Sequence, residues 1–120
     1  MDSSTTIAEL KEKIKRFGEE RDWDQFHNAK DLTIGIVTEA SELLQHFRFK
    51  SEQEVDNLFK NEVKKQELSE EIADTLYFII RLAQRYDIDL STAVIKKLDK
   101  NNKKYPVEKA KGSNKKYTEF

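Results

Sequence analysis

No cysteine occurs anywhere in the 120-residue chain. Disulfides, thiolate nucleophiles and thiolate zinc sites are therefore excluded, and nothing in the composition points to an oxidising compartment. Proline occurs once and glycine three times. Sheets joined by tight turns use both residues more freely, so a β-rich fold is not expected. No apolar run approaches the ~20 residues of a membrane span. The opening Met1-Asp2-Ser3-Ser4-Thr5-Thr6 has neither a basic segment nor an apolar one, so no signal peptide is read. The net charge of −1 exerts no global pull toward nucleic acid or an anionic membrane. A soluble cytoplasmic protein, with neither nucleic acid nor membrane as partner, is the expectation.

What the chain has in abundance is charge. Charged residues make up 38% and hydrophobic residues 37%, where about 25% charged is usual for a globular domain. Long amphipathic helices with solvated outer faces account for that balance. The length suits a single domain over residues 1–120 with a modest core. Residues 1–5 and 107–120 lack helical periodicity and are expected to form flexible or irregular ends.

Thr6-Ile7-Ala8-Glu9 fits a capping box, and Ile7, Leu10, Ile14 and Phe17 then form one apolar stripe of a first helix. Residues 21–27 show no period and read as a loop or irregular turn. A second helix runs from the 28–31 region to about Phe47, with Leu32, Ile36, Ala40, Leu43, Leu44 and Phe47 inward. Ser51 with Glu54 is a further capping box, opening a short helix through Phe59. A third long helix spans about 63–86 and turns Leu68, Ile72, Leu76, Ile79, Ile80 and Ala83 inward. Asp89 can cap a fourth, which buries Leu90, Val94, Ile95 and Leu98 and ends before Pro106.

Two of these helices carry acids at i,i+3, a spacing that puts both side chains on one face: Glu39 with Glu42, and Glu71 with Asp74. Gly35, His46 and Phe49 extend the first stripe; Phe78 and Arg81 extend the second, where Arg81 can pair with a carboxylate of its own helix. A charge-rich helical chain contains such spacings by chance, as Glu9/Glu12 shows, and a solvated face tolerates them. These pairs sit instead within apolar segments, where like charges need a cation. Four facing carboxylates would form a hard, oxygen-only site suited to Mg²⁺. Periodicity alone leaves the solvated-face and metal-site readings equally open.

Thr38-Glu39-Ala40-Ser41-Glu42 followed by Glu70-Glu71-Ile72-Ala73-Asp74 resembles the E-x-x-E … E-x-x-D signature of the MazG-like all-α NTP pyrophosphatases. Three further segments resemble the dCTP pyrophosphatase branch: residues 20–27 with Trp23 and His27, Lys97-Leu98-Asp99-Lys100-Asn101 running to Lys104-Tyr105-Pro106, and Ser113-Asn114-Lys115-Lys116-Tyr117-Thr118-Glu119. Together they cover nearly the whole chain. The branch carries Trp near Phe49 and Tyr near Phe78, so the aromatic faces survive here without the phenol. The broader family often has two adjacent acids where this chain has Thr38-Glu39.

The resemblance implies an all-α, four-helix-bundle-like core. It implies Glu39, Glu42, Glu71 and Asp74 as ligands of Mg²⁺, with Mn²⁺ as a substitute, and as the catalytic set. It places Trp23, His27, Phe49, Phe78 and Asn101 around base and sugar, and Lys97, Lys104 and Tyr105 near phosphate. The implied activity is hydrolysis of a nucleoside triphosphate, dCTP-like, to monophosphate and pyrophosphate, in a house-cleaning role. The implied partner is a second copy of the chain, in a dimer or a tetramer built as a dimer of dimers. A phosphoribosyl-ATP pyrophosphohydrolase and a non-enzymatic helical interaction module are the alternatives.

Overall fold

Thr6 opens the first helix: its Oγ1 accepts from the Glu9 N–H at 3.1 Å, satisfying one of the orphan donors of the first turn. The computed structural model describes residues 1–120. Helix α1 spans Ile7–Glu20. It ends in a Schellman arrangement, in which the Trp23 N–H donates to the Gly18 carbonyl at 3.0 Å and the Asp22 N–H to that of Glu19 at 3.1 Å. Asp22 occupies the left-handed position, φ 55°, that glycine commonly takes, and aspartate is among the residues that tolerate it. That reversal folds Trp23 back over Phe17, their ring centroids 5.6 Å apart in an edge-to-face pair.

A 3₁₀ turn, Asp24–Phe26, follows, so the aperiodic segment is an ordered single turn. Asn28 then caps α2, Ala29–Gln45. The capping box at Ser51 forms with both of its hydrogen bonds and opens α3, Glu52–Lys60. Asn61 caps α4, Glu62–Arg85. The architecture is all-α, as read from the sequence, with α1, α2 and α3 each packed on α4.

Two compact units result. The first is Met1–Asp87 and contains α1 to α4; the second is Ile88–Phe120. In the second, Asp89 caps α5, Leu90–Lys104, which ends before Pro106. A short α6, Val107–Ala110, and a 3₁₀ turn, Tyr117–Glu119, give the tail more helical structure than its sequence pattern announces. Within this unit Tyr105 meets Tyr117 and Phe120 edge-on, at 5.8 and 5.9 Å between centroids. The helix expected as the fourth member of the core thus belongs to the second unit, and the short α3 is the fourth helix of the first.

The fully buried apolar residues are few: Leu32 on α2, and Leu68, Ile80 and Ala83 on α4. Several residues expected inside are exposed in the single chain. Leu44 is 59% exposed, and Ala40, Ile72, Leu76, Val94, Ile95 and Leu98 are exposed as well. Periodicity identifies an apolar face; it does not say what covers that face. No helix is long and apolar enough to cross a membrane.

Candidate active site

Gly35 sets the approach of α2 to α4. A Cβ there would lie 2.7 Å from Phe78 ring atoms, so only hydrogen lets the ring seat against the α2 backbone. This contact lies one helical turn from Glu39 and one from Asp74, and it brings the two acidic stripes face to face. One oxygen from each of Glu39, Glu42 and Glu71 falls within a 4.8 Å group. Asp74 lies outside that group. It acts on both Glu39 and Glu71 electrostatically and lines the adjoining cleft beside Glu39.

The electrostatics are those of charge held without compensation. Burial pushes the Glu39 carboxyl up from 4.5 to about 7, reinforced by a hydrogen bond to Glu42 and by the charges of Glu42, Asp74 and Glu71. Glu71 moves in the same direction, chiefly through burial and then through Glu42 and Asp74; His46 opposes the shift. Glu39 Oε2 and Glu71 Oε2 are buried with no hydrogen-bond partner. A buried carboxylate oxygen without a donor is costly, and a divalent cation is the partner that would satisfy two at once. The donors are all oxygen, as Mg²⁺ or Mn²⁺ requires. The residues present therefore fit such an ion.

The His46 Nε2 lies 4.0 Å from the Glu71 Oε1. Its place four residues after Glu42, on the same stripe, is the signal for this in the sequence.

Beside the acids opens a cleft of about 670 Å³, walled by Phe17, Trp23, Tyr77 and Phe78 and floored by Leu10 and Ile14, with Glu39 and Asp74 at its polar side. Its size and apolar lining with a few acids suit a small molecule carrying one flat face. Trp23, 39% exposed, and Phe78 both line this cleft. Tyr77 was not anticipated; its hydroxyl is buried without a partner, and burial raises its pKa.

Other expected site residues lie elsewhere. Phe49 is 91% exposed, in a left-handed conformation with φ 65°, under the Arg48 guanidinium at 4.5 Å, and forms no wall of this cleft. His27 is buried; its Nδ1 accepts from Arg81 Nε–H at 2.8 Å. Arg81 does not pair with an acid of its own helix: its salt bridge is to Asp24, 57 residues earlier in the chain. An arginine outreaches one helical turn, and here it crosses to the facing turn. Lys97, Asn101, Lys104 and Tyr105 lie on or at the end of α5 in the second unit, where Lys104 Nζ sits 4.8 Å over the Tyr117 ring.

Comparison with known proteins gives this geometry its class. Residues 34–120 match the MazG-like family. The chain is 37% identical over 115 residues to dCTP pyrophosphatase 1 of Rattus norvegicus, covering 96% of this chain and 68% of that protein. The human protein of the same name is 35% identical over 115 residues, with the same coverage. Among solved structures, a pyrophosphatase from Archaeoglobus fulgidus superposes with a TM-score of 0.77 at 35% identity, covering 82% of this chain and 91% of that one. The chain belongs to the MazG-like family.

Proposed function

We propose that the protein is a metal-dependent nucleoside triphosphate pyrophosphohydrolase that converts a deoxynucleoside triphosphate, dCTP or a close relative, to the monophosphate and pyrophosphate. One observation carries the reading: buried, partnerless carboxylate oxygens of Glu39 and Glu71 converge beside an aromatic cleft. The family and the names of the relatives support it.

Glu39, Glu42, Glu71 and Asp74 would hold Mg²⁺, or Mn²⁺ in its place. When bound, the ion supplies positive charge for the phosphate oxygens and polarises the α-phosphorus. The protein's part is positional. Trp23 and Phe78 present ring faces to the base, which favour any nucleobase and confer affinity more than discrimination. The apolar floor excludes water from the base while the acids keep the phosphate end polar. Water attacks the α-phosphorus, the bond from that phosphorus to the bridging oxygen breaks, and pyrophosphate leaves. The roles of His27 and Asn101 toward base or sugar, of Phe49 as an aromatic face, and of Lys97, Lys104 and Tyr105 toward phosphate rest on the resemblance.

We assign the functional state to a homo-oligomer, a dimer or a dimer of dimers. The exposed Ile34, Val37 and Leu44 on α2 and Ile72 and Leu76 on α4 support this, because isolated monomers rarely leave so many large apolar side chains uncovered.

The test is pyrophosphate release with Mg²⁺ across a panel of dNTPs, ribonucleotides and phosphoribosyl-ATP, run in ¹⁸O-water. The expected outcome is pyrophosphate with the label in dNMP, fastest with a cytosine nucleotide. Label in the pyrophosphate would move the attack to the β-phosphorus and refute the mechanism. Turnover of phosphoribosyl-ATP alone would reassign the substrate.

A further inference from the structure

Arg81 is 1% exposed, the largest side chain fully enclosed in the protein, and a buried guanidinium persists only where its donors are used. All three of its nitrogens have partners. Nε donates to His27 Nδ1 at 2.8 Å, Nη2 donates to Asp24 Oδ1, and Nη1 donates to Gln84 Oε1. Asp24 lies on the 3₁₀ turn between α1 and α2 and His27 directly follows it, both more than 50 residues away in sequence. Trp23 directly precedes that turn, and its indole meets His27 edge-on at 6.4 Å between ring centroids. Just beyond, the Ala29 N–H donates to the Tyr86 hydroxyl at 2.8 Å. The segment that supplies the aromatic wall is therefore pinned to α4 at two points.

The Arg81–His27 contact also has a chemical consequence. A guanidinium has only donors, so His27 Nδ1 must be the acceptor and must carry no proton. The ring proton then resides on Nε2, and the imidazole is a neutral donor of fixed tautomer. Burial, with the charge of Arg81 second, moves the His27 pKa down, in keeping with a neutral ring.

We infer that Arg81 is a positioning residue for nucleotide recognition: it fixes His27 as the neutral Nε2–H tautomer and holds the Trp23 turn against α4. This rests on the function proposed above. Arg81 touches neither the acidic cluster nor the reacting atoms, so its removal acts on substrate affinity rather than on the chemical step.

The test compares Arg81→Lys, which keeps the charge but loses the planar fork, with Asp24→Asn, which alters the half-exposed partner and spares the buried cation. Trp23 is the one tryptophan in the chain and His27 one of two histidines, so both report without any substrate. Trp23 emission should shift in both variants. Long-range ¹H–¹⁵N spectra should show a single Nε2–H tautomer for His27 in the wild type and a mixture in Arg81→Lys. KM for the preferred dNTP should rise roughly tenfold, the loss expected when one aromatic wall of the cleft is displaced, with kcat held within about twofold. Unchanged KM and emission with only a lower Tm would make Arg81 merely structural and overturn the inference. A collapse of kcat at unchanged KM would overturn it too. If Arg81→Lys does not fold, Asp24→Asn decides on the same readouts. If the wild type releases no pyrophosphate from any nucleotide, the proposed activity fails, and Trp23 emission and the His27 tautomer alone decide the positioning role.

Discussion

Helix α4 carries two charged sites of opposite kind on one stripe. Glu71 and Asp74 stand near mid-helix, and Arg81 lies about two turns beyond Asp74, about 10 Å along the axis. All are held at least partly away from bulk water or among other charges, yet the protein treats them differently. Every nitrogen of Arg81 has a partner within the chain. Glu71 Oε2, and Glu39 Oε2 across from it on α2, have none. A buried charge that is fully satisfied internally ties elements together. One left unsatisfied, with its carboxyl pKa driven upward, is waiting for something from outside. That contrast separates a clamp from a ligand site more sharply than charge or burial does alone.

The acidic end should give the largest effects. Glu42→Gln and Asp74→Asn should each lower turnover more than about 100-fold, beyond what loss of an outer partner of a metal ligand causes. The helical circular-dichroism signal should persist, and the metal-free Tm should equal or exceed that of the wild type because a like-charge pair has been relieved. Asp74 lies outside the tight group of three oxygens, so full activity in Asp74→Asn would restrict the ion to Glu39, Glu42 and Glu71. Full activity in Glu42→Gln would remove the carboxylate site altogether.

An intermediate effect should appear in pH and metal together. The Glu39 pKa is raised in the folded state, from 4.5 to about 7. A carboxyl raised on folding is easier to keep protonated when folded, so its contribution favours the fold at low pH and is lost as pH climbs through the folded value. The metal-free Tm should therefore fall between about pH 4.5 and about pH 7, and Glu39→Gln should flatten that part of the curve. Added Mg²⁺ should restore stability progressively above that range, where the carboxylates are ionised. A Glu39→Gln profile parallel to that of the wild type would mean that Glu39 is solvated and carries no stored repulsion.

The smallest effect concerns the contact that brings the two stripes together. Gly35→Ala gains up to about 1 kcal/mol in helix propensity but places a Cβ 2.7 Å from the Phe78 ring. Overpacking of this kind costs about 1–3 kcal/mol, so Tm should drop by a few degrees. Because Phe78 also walls the cleft, KM should rise a few-fold at nearly constant kcat. An unchanged Tm would show that α2 and α4 slide apart freely and that the acids do not depend on this approach.

Much of the molecule could be read without coordinates, for local reasons. Caps at Thr6, Ser51 and Asp89 are short-range hydrogen bonds, and each forms. The acidic pairs were legible because i,i+3 is a property of one helix. Phe49 was assigned to a pocket wall by its stripe and by resemblance, but the chain leaves α2 before it and turns it outward with a positive φ. Tyr77 was invisible as a cleft residue because it lies off the acidic stripe.

The sequence by itself determined the all-α class, the helix starts and the existence of two acidic faces, since caps, periodicity and i,i+3 spacing act within a few residues. Only the tertiary structure decided that Arg81 reaches Asp24 and His27 rather than its own helix, that Gly35 admits the Phe78 ring, and that Glu39 and Glu71 keep oxygens with no donor. Those outcomes depend on the relative placement of α2, α4 and the turn after α1. That placement is a matter of which surfaces exclude water and which polar atoms find partners, and neither is a property of any one segment.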